Sequence, residues 1–281
     1  MAPRLLEDLV DRIHGATALD SVARPVAGLV GRVVGHGPLK DGLSGTWLGH
    51  PLHPMLTDVA IGAWTSSCIL DLCAGRDGQA AADTLVGVGV LSAVPTAAAG
   101  LSDWSDLLGA ERRVGLVHAG ANLVAVSCYT LSWFARRRGD RHRGVVLGLV
   151  GATVATVGGY LGGHLSYRQG VNVDRNAWDE GPEEWIDTVP EGEVTEGSPT
   201  GYSGVLLVRQ GGEILAIGDV CGHAGGPLHE GEVVDGCVTC PWHGSTFRLA
   251  DGSPVHGPAT APQPRYEARV LDGTVQVRRR T

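Results

Sequence analysis

Two short cysteine–histidine motifs in the last third of the chain constrain it more than any other feature. Cys221 and His223 form a C-x-H pair, Cys240 and His243 form a C-x-x-H pair, and sixteen residues separate the pairs. Each pair offers one thiolate and one imidazole, so two loops can close on one metal centre from two sides. A [2Fe–2S] cluster with two cysteines on one iron and two histidines on the other uses this ligand set. A structural zinc site is the alternative, although zinc motifs usually place two ligands of one type together.

The residues around these pairs resemble the Rieske iron–sulfur domain. The sequence GGPL follows the first pair at 225–228, and CPWHGS at 240–245 leads to Phe247. Gly252 and the sequence GPA at 257–259 follow where Rieske domains carry a glycine and a proline-rich loop over the cluster. Several motif elements in the same order make this resemblance specific.

The resemblance covers residues 185–277 and implies a small all-β domain that holds a [2Fe–2S] cluster. It implies that Cys221 and Cys240 bind the buried iron, and that His223 and His243 bind the exposed iron. The same resemblance implies one-electron transfer, with the exposed edges of the two imidazoles as the point where electrons enter and leave.

Four further residues are implied to surround the cluster, namely Leu228, Ser245, Phe247 and Pro258. Leu228 and Pro258 belong to the apolar cover that excludes water. Ser245 stands where Rieske domains of respiratory cytochrome bc complexes carry a serine that donates to the cluster, but Phe247 stands where they carry a tyrosine. Because hydrogen bonds to cluster sulfurs help to set the potential, we expect a reduction potential below the top of the Rieske range.

The disulfide of that respiratory branch is absent from the motif, because Gly226 and Trp242 stand at its two cysteine positions. The pattern is therefore closer to soluble Rieske ferredoxins. Cys237 precedes Cys240 by three residues, and we interpret it as a small buried hydrophobic residue of a strand.

Four apolar segments precede the metal-binding motifs, at residues 54–74, 84–101, 114–135 and 144–163. Their lengths match the ~20 residues that span a bilayer core as a helix. The fourth segment carries two overlapping G-x-x-x-G patterns, which let membrane helices approach closely. We therefore predict a four-helix transmembrane bundle followed by a small all-β domain, in a multi-pass protein of the cell membrane that contacts lipid.

This region also resembles a bacterial four-helix membrane domain of unknown function. The sequence GTWLGHPLHP at 45–54, followed by Asp58 and the sequence GAW at 62–64, carries the resemblance, which extends over residues 44–167. The expected division of the chain is an amphipathic N-terminal segment at 1–50, the transmembrane domain at 51–165, a linker at 166–182 and the Rieske domain at 183–281. The apolar spacing near the N-terminus predicts helices that lie either on the membrane surface or against the chain's own domain.

Polar residues of the bundle gather at one membrane face, because successive helices alternate in direction. His53, Asp103, His118 and His164 are the candidates for a second site, since ionisable groups at membrane depth are costly and often functional. A b-type haem bound by His118 and His164 is one interpretation. A quinone or proton site at His53 and Asp103 is another. A polar cluster that orients the helices is the third.

The charge of the chain lies almost entirely in its second part. Residues 1–169 contain 14 Lys and Arg against 13 Asp and Glu, and residues 170–281 contain 8 against 17, which gives net charges of +1 and −9. The acidic part predicts a redox partner protein with a basic face, and we expect no nucleic-acid partner. The positive-inside rule does not decide the orientation. The missing disulfide favours a cytoplasmic Rieske domain.

The predicted function is that of a membrane-anchored Rieske protein that carries single electrons between a redox partner and an acceptor. Two alternatives remain, a subunit of a quinone- or haem-linked membrane oxidoreductase and a redox sensor or scaffold. An electron carrier or oxidoreductase subunit fits the sequence better than a self-sufficient enzyme does.

Overall fold

The computed structural model describes residues 2–280 and divides the chain into two compact units. Met1–Val33 together with Leu52–Val171 form the first unit, here called the membrane unit. Val34–Pro51 together with Asn172–Thr281 form the second unit, here called the cluster unit. The chain therefore passes between the units more than once, and residues 34–51 belong with the C-terminal domain. The predicted division at residue 50 differs from this grouping.

The described residues of the membrane unit form six α-helices. They are α1 (Ala2–Gly15), α2 (Asp20–Val34), α4 (Leu52–Cys73), α5 (Gln79–Ser105), α6 (Gly109–Arg137) and α7 (Arg141–Tyr167), while α3 (Pro38–Ser44) belongs to the cluster unit. The last four helices of the membrane unit are long and apolar enough to cross a membrane. This confirms the predicted four-helix transmembrane bundle. Three of these helices extend past both ends of the apolar segment that predicted them, and α4 ends one residue before its segment does.

Aromatic residues and alanines form the centre of the bundle. The rings of Trp64 on α4 and Tyr129 on α6 stack with centroids 4.2 Å apart and planes inclined by 4°. Ala60, Val86 and Ala93 are buried against them. Small residues around two large rings let four helices pack closely, as membrane helices do.

Both N-terminal helices pack against the bundle through one face. Val10 of α1 is buried against Val114 and Leu161, while Ala23 and Ala27 of α2 are buried against Trp104. Packing on the chain's own domain was one of the two predicted arrangements for these helices.

An ion pair reinforces this packing. Arg113 donates to both carboxylate oxygens of Asp20 at 2.8 and 2.9 Å, and this bonding lowers the pKa of Asp20 to about 2. Because that pKa lies below the value for an unfolded aspartate, the pair stabilises α2 above about pH 4. Its contribution is lost only as the pH falls toward 2.

A buried ionic network joins all four bundle helices near the α6–α7 connection. Arg136 of α6 donates to Asp71 of α4 and, at 2.8 Å, to Asp83 of α5. Arg141 of α7 donates to the same two carboxylates at 2.6 and 2.7 Å. The side chains of Arg136 and Asp71 are only 1% and 3% exposed. Arg136 and Arg141 are therefore structural ion-pair partners.

Up to residue 280, the cluster unit forms ten strands in two antiparallel sheets. The strands are β1 (Ile186–Pro190), β2 (Pro199–Tyr202), β3 (Val205–Gln210), β4 (Glu213–Gly218), β5 (Glu232–Val234), β6 (Cys237–Thr239), β7 (Thr246–Arg248), β8 (Pro254–His256), β9 (Arg265–Leu271) and β10 (Thr274–Arg279). The larger sheet has the order β1-β10-β9-β4-β3-β2, and the smaller one has the order β5-β6-β7-β8. The predicted all-β domain is confirmed.

Alternation along the strands builds the core of this unit. Leu206 and Val208 of β3 face one apolar cluster together with Phe247 of the smaller sheet. Val205 and Leu207 face a second cluster on the other side of the larger sheet. The larger sheet is thus buried on both faces along β3, and the smaller sheet with its loops packs on one of them.

Residues 34–51 form a short segment, here called the clip, that packs on loops of the cluster unit. Asp41 of α3 accepts hydrogen bonds from the Gly257 N–H at 2.7 Å. It also lies 2.9 Å from His256 Nδ1. Thr46 donates to the Ala259 carbonyl at 3.1 Å. The clip therefore holds the loop that follows β8.

We predict that Arg136→Ala destabilises the membrane unit strongly. The substitution removes one of the two guanidinium groups that pair with the buried Asp71. Breaking a buried ion pair costs roughly 3–5 kcal/mol, and because Arg141 remains, we expect the lower end of this range. The thermal unfolding midpoint in detergent should fall clearly below that of the wild-type chain. The matched control is Arg138→Ala, because Arg138 is exposed in the same loop. Equal midpoints for the two variants would contradict a structural role for the network.

Candidate metal centre

Two loops at one end of the cluster unit carry the four predicted ligands. The first loop leaves β4 and contains Cys221 and His223, and the second joins β6 to β7 and contains Cys240 and His243. Because Cys240 follows the last residue of β6 directly, the β6–β7 hairpin fixes its position. The structure brings all four predicted ligands to neighbouring loops.

The two loops repeat the same backbone hydrogen bonds. The Cys221 N–H donates to the Gly226 carbonyl at 2.8 Å, and the Cys240 N–H donates to the Ser245 carbonyl at 2.8 Å. The Cys221 carbonyl accepts from Gly225, and the Cys240 carbonyl accepts from Gly244. Each cysteine therefore starts a closed turn of the same size.

Each turn depends on a glycine four residues after its cysteine. Gly225 has a φ of 85° and Gly244 has a φ of 75°. This left-handed conformation is costly for residues with a Cβ atom. The glycines after the C-x-H and C-x-x-H pairs are thus required by the closing of the loops.

Backbone N–H groups converge on both cysteine sulfurs. His223 and Ala224 donate to Cys221 Sγ, while Trp242 and His243 donate to Cys240 Sγ. A hydrogen bond between the two sulfurs raises the pKa of Cys221 and lowers the pKa of Cys240 to about 6. Backbone donors stabilise a thiolate, which is the metal-binding form of cysteine.

The thiols and the imidazoles differ in exposure. Cys221 and Cys240 are 1% and 3% exposed, whereas His223 and His243 are partly exposed. The two imidazole rings meet edge to face with centroids 5.0 Å apart. Two buried thiolates beside two more exposed imidazoles match the donor set of a cluster with one Cys₂ iron and one His₂ iron.

Gly226 allows the two loops to approach each other. A Cβ atom at this position would lie 2.8 Å from Cys240 Sγ and 3.0 Å from the Trp242 ring. Any larger residue would therefore push the second loop away, unless it were a cysteine joined to that loop by a disulfide. The sequence singled out this glycine only as a missing disulfide cysteine, and its packing role emerges from the structure.

The four predicted residues around the centre are all buried. Leu228 and Phe247 are fully buried in the core below the loops, and Pro258 is buried in the loop after β8. Ser245 Oγ accepts a hydrogen bond from the Ala259 N–H at 3.0 Å. Its own hydroxyl proton thus remains able to donate to another acceptor.

The clip contacts both the loop at 256–259 and the second ligand loop. Asp41 and Thr46 bind the loop at 256–259, and a Cβ atom on Gly244 would lie 2.7 Å from His36 Nδ1. Nothing in the spacing of His36, Asp41 and Thr46 linked them to the metal-binding motifs. Only long-range packing reveals that residues 34–51 complete the surroundings of the second ligand loop.

The predicted polar residues of the membrane unit are grouped differently in the structure. The rings of His53 and His118 lie edge to face with centroids 6.4 Å apart. His164 instead approaches His14 of α1 at 5.6 Å, and Asp103 is buried in α5. The structure therefore places His118 next to His53, and His164 next to His14, instead of bringing His118 and His164 together.

Helical geometry explains this correction. The His118 ring packs against Gly162 of α7, where a Cβ atom would lie 3.0 Å from the ring. His164 is two residues further along α7, and two residues turn an α-helix by about 200°. His164 therefore projects away from the helix face that His118 contacts.

Two family models match the chain, one in each part. Residues 184–267 match the Rieske [2Fe-2S] domain. Residues 49–175 match a predicted membrane protein family, DUF2231. Both predicted resemblances are confirmed.

Curated relatives match the C-terminal part. The anthranilate 1,2-dioxygenase ferredoxin subunit of Burkholderia cepacia is 37% identical over 98 residues, which cover 34% of this chain and 91% of that subunit. The cytochrome b6-f complex iron-sulfur subunit of Chlorobaculum tepidum is 33% identical over 73 residues, which cover 26% of this chain and 39% of that subunit.

Among solved structures, a ferredoxin of carbazole 1,9a-dioxygenase from Nocardioides aromaticivorans matches at 25% identity. It covers 34% of this chain and 98% of that ferredoxin, with a TM-score of 0.32.

A small all-β domain whose paired loops carry two buried cysteines and two partly exposed histidines defines an iron–sulfur protein. The chain belongs to the Rieske [2Fe-2S] family through this domain, which is fused to a four-helix membrane domain. Rieske domains carry a [2Fe–2S] cluster.

We predict that Asp41→Ala loosens the loop at 256–259. The substitution removes the acceptor of the Gly257 N–H, and an unsatisfied buried donor costs roughly 1–3 kcal/mol. Hydrogen exchange at Gly257 should accelerate by about tenfold or more, since 1.4 kcal/mol corresponds to a factor of ten. Asp272→Ala, in the β9–β10 turn, serves as the control and should leave this exchange unchanged. Unchanged exchange in Asp41→Ala would show that the clip does not restrain the loop.

Proposed function

We propose that this protein is a membrane-anchored Rieske electron carrier that passes single electrons between a redox partner protein and an acceptor at the membrane. The observation that carries the proposal is the pair of matching loops, which place two buried cysteines beside two more exposed histidines. When bound, a [2Fe–2S] cluster accepts and releases one electron at a time.

In this proposal the four side chains divide the cluster between a buried and an exposed half. Cys221 and Cys240 bind one iron, and the backbone N–H groups that converge on their sulfurs stabilise the thiolate form. His223 and His243 bind the other iron. Their partial exposure gives a partner protein direct access to one edge of the centre.

Neighbouring residues set the environment of the centre. Leu228 and Pro258 exclude water from it, and Ser245 donates a hydrogen bond toward it while accepting one from Ala259. Phe247 supplies packing without a hydroxyl group. Hydrogen bonds and solvent access are the means by which a protein tunes a Rieske potential.

The partner is proposed to be a redox protein with a basic face. Residues 170–281 carry a net charge of −9, and such a field attracts a complementary surface and raises association rates at low salt. By its name, the ferredoxin relative serves a dioxygenase. An oxidoreductase or a reductase is accordingly the class of partner that we propose here, with lipid around the bundle and quinone as a candidate acceptor.

We further propose that the protein is a multi-pass protein of the cell membrane with its Rieske domain in the cytoplasm. The positive-inside rule gives no clear preference, because Lys and Arg are nearly equally numerous at the two ends of the bundle. Gly226 and Trp242 occupy the positions of the disulfide that an oxidising compartment would favour. A reporter enzyme fused after the Rieske domain measures the orientation directly.

We predict that Cys240→Ser abolishes the cluster, whereas Cys237→Ser retains it. The two cysteines lie three residues apart, but only Cys240 carries converging N–H groups and a sulfur neighbour. The measurement is the iron content per chain together with the electron paramagnetic resonance spectrum of the reduced protein. An unchanged spectrum in Cys240→Ser would refute the proposed ligand set, as would its loss in Cys237→Ser.

We predict that Ser245→Ala keeps the cluster but lowers its reduction potential. A hydrogen bond to a charged group contributes roughly 1.5–3 kcal/mol, and a tenfold change corresponds to about 59 mV for one electron. The expected decrease is therefore about 60–130 mV in a potentiometric titration. Thr246→Val is the control, because Thr246 Oγ1 pairs with Thr239 instead. Equal potentials in wild type and Ser245→Ala would exclude the hydroxyl as a donor.

A further inference from the structure

The two hairpins of the membrane unit repeat each other residue by residue. Residues of α4 match the residues of α6 that lie 65 positions later, and residues of α5 match those of α7 that lie 62 positions later. The matching pairs of α4 and α6 are His53 with His118, Trp64 with Tyr129, Ser67 with Ser132, and Asp71 with Arg136. The α4–α5 and α6–α7 hairpins are thus two copies of one unit.

The hydrogen bonds follow the same repeat. His53 Nδ1 lies 2.9 Å from the Thr96 carbonyl, and the equivalent His118 Nδ1 lies 2.8 Å from the Gly158 carbonyl. The hydroxyl of Ser67 donates to the Ala82 carbonyl across the first hairpin. Its counterpart Ser132 donates to the Gly144 carbonyl across the second.

Glycines under the large side chains repeat as well. A Cβ atom on Gly100 would lie 2.6 Å from the His53 ring, and one on Gly162 would lie 3.0 Å from the His118 ring. Gly89 under Trp64 and Gly151 under Tyr129 follow the same rule. Contacts that repeat at constant offsets indicate that the two hairpins are related by a pseudo-twofold axis.

Equivalent side chains meet across this axis at three levels. Trp64 and Tyr129 stack directly, and Asp71 and Arg136 form an ion pair. At the third level His53 faces His118 with ring centroids 6.4 Å apart and planes inclined by 85°. The two side chains of each of the first two pairs contact each other directly, whereas the two imidazole rings are separated.

The chemistry of the two rings is fixed by their partners. A carbonyl oxygen can only accept a hydrogen bond, so Nδ1 of each ring carries the proton and Nε2 keeps its lone pair. A histidine that donates through one nitrogen to a backbone carbonyl is the usual form of a metal ligand. Asn122 Nδ2 lies 3.3 and 3.2 Å from the two nitrogens of His118. This nearly equal spacing places the amide over the ring rather than along the Nε2 lone pair.

The number of available protein ligands limits which metal group the two histidines could bind. Among the described residues of the membrane unit, no group of three or more His, Cys, Asp or Glu side chains is placed to hold a metal ion. Zinc takes four ligands at about 2 Å from nitrogen. A metal held by only two imidazoles must bring its other ligands with it, as haem iron does with the porphyrin nitrogens.

The distance between the two imidazole rings agrees with a haem iron between them. Two imidazoles on opposite sides of one metal, each with a metal–nitrogen distance of about 2 Å, have centroids roughly 6 Å apart. We propose that His53 and His118 are the two axial ligands of a b-type haem held on the pseudo-twofold axis of the bundle. This site is separate from the cluster unit and does not depend on the proposed electron carrier function.

The test is a titration of the purified full-length chain with haemin in mild detergent, followed by optical spectra of the oxidised and reduced protein. The expected result is one low-spin haem per chain. His53→Ala and His118→Ala should each abolish the low-spin spectrum, whereas His164→Ala should retain it because its ring contacts His14. Gly100→Ala should weaken haem binding by tenfold or more, because the added Cβ displaces the His53 ring.

The controls separate this proposal from the function of the cluster. Gly159→Ala is the matched control for Gly100→Ala, because a Cβ atom there meets nothing within 4 Å, and it should bind haem as the wild type does. The spectrum of the reduced iron–sulfur cluster should persist in every variant and shows that the cluster unit is intact. A thermal unfolding midpoint in detergent close to that of the wild type shows that the membrane unit is folded. A wild-type chain that shows the cluster but forms no low-spin haem would overturn the haem site alone. Equal loss of haem in His164→Ala would overturn the assignment of the ligands.

Discussion

The closing of two equal loops around one pair of sulfurs is the constraint on which the cluster unit depends. Each cysteine N–H binds a carbonyl five residues later, and each cysteine carbonyl accepts from a glycine with positive φ. These bonds aim two further backbone N–H groups at each sulfur. The β-sheets then serve to hold the loops together, with Gly226 allowing their contact and Leu228 and Phe247 filling the space below them.

The membrane unit follows a different principle, that of repetition. Two hairpins with the same spacing of aromatic, small and polar residues bury equivalent groups against each other. At two of the positions that meet across the axis the two copies carry different residues. One of these pairs is the ion pair between Asp71 and Arg136, and the other is the stack of Trp64 on Tyr129. Among the three pairs that meet across the axis, only His53 and His118 are the same residue in both copies. Identity at that level is what a symmetric metal site requires.

Much of this architecture could be predicted from the sequence, because the signals were local. The C-x-H and C-x-x-H motifs, together with the residues around them, predict the four ligands, and four long apolar segments predict four spanning helices. The short strands β2, β5 and β8 carry too few alternating residues to predict, and they appear only because the sheets pair them.

Long-range packing explains the features that the sequence did not predict. The clip joins residue 41 to residue 257, and no local pattern records that contact. The proximity of His53 to His118 was missed for a related reason. Alternating helix directions place His118 and His164 at one membrane face, but only the rotation of α7 decides which ring reaches His118.

The central claim is that one iron is bound by two cysteines and the other by two histidines. Mössbauer spectroscopy of the full chain enriched in ⁵⁷Fe measures these environments directly. We expect two iron sites in equal amounts with clearly different parameters, one for each pair of ligands. A single iron environment, or a folded chain that binds zinc and no iron after anaerobic preparation, would contradict it.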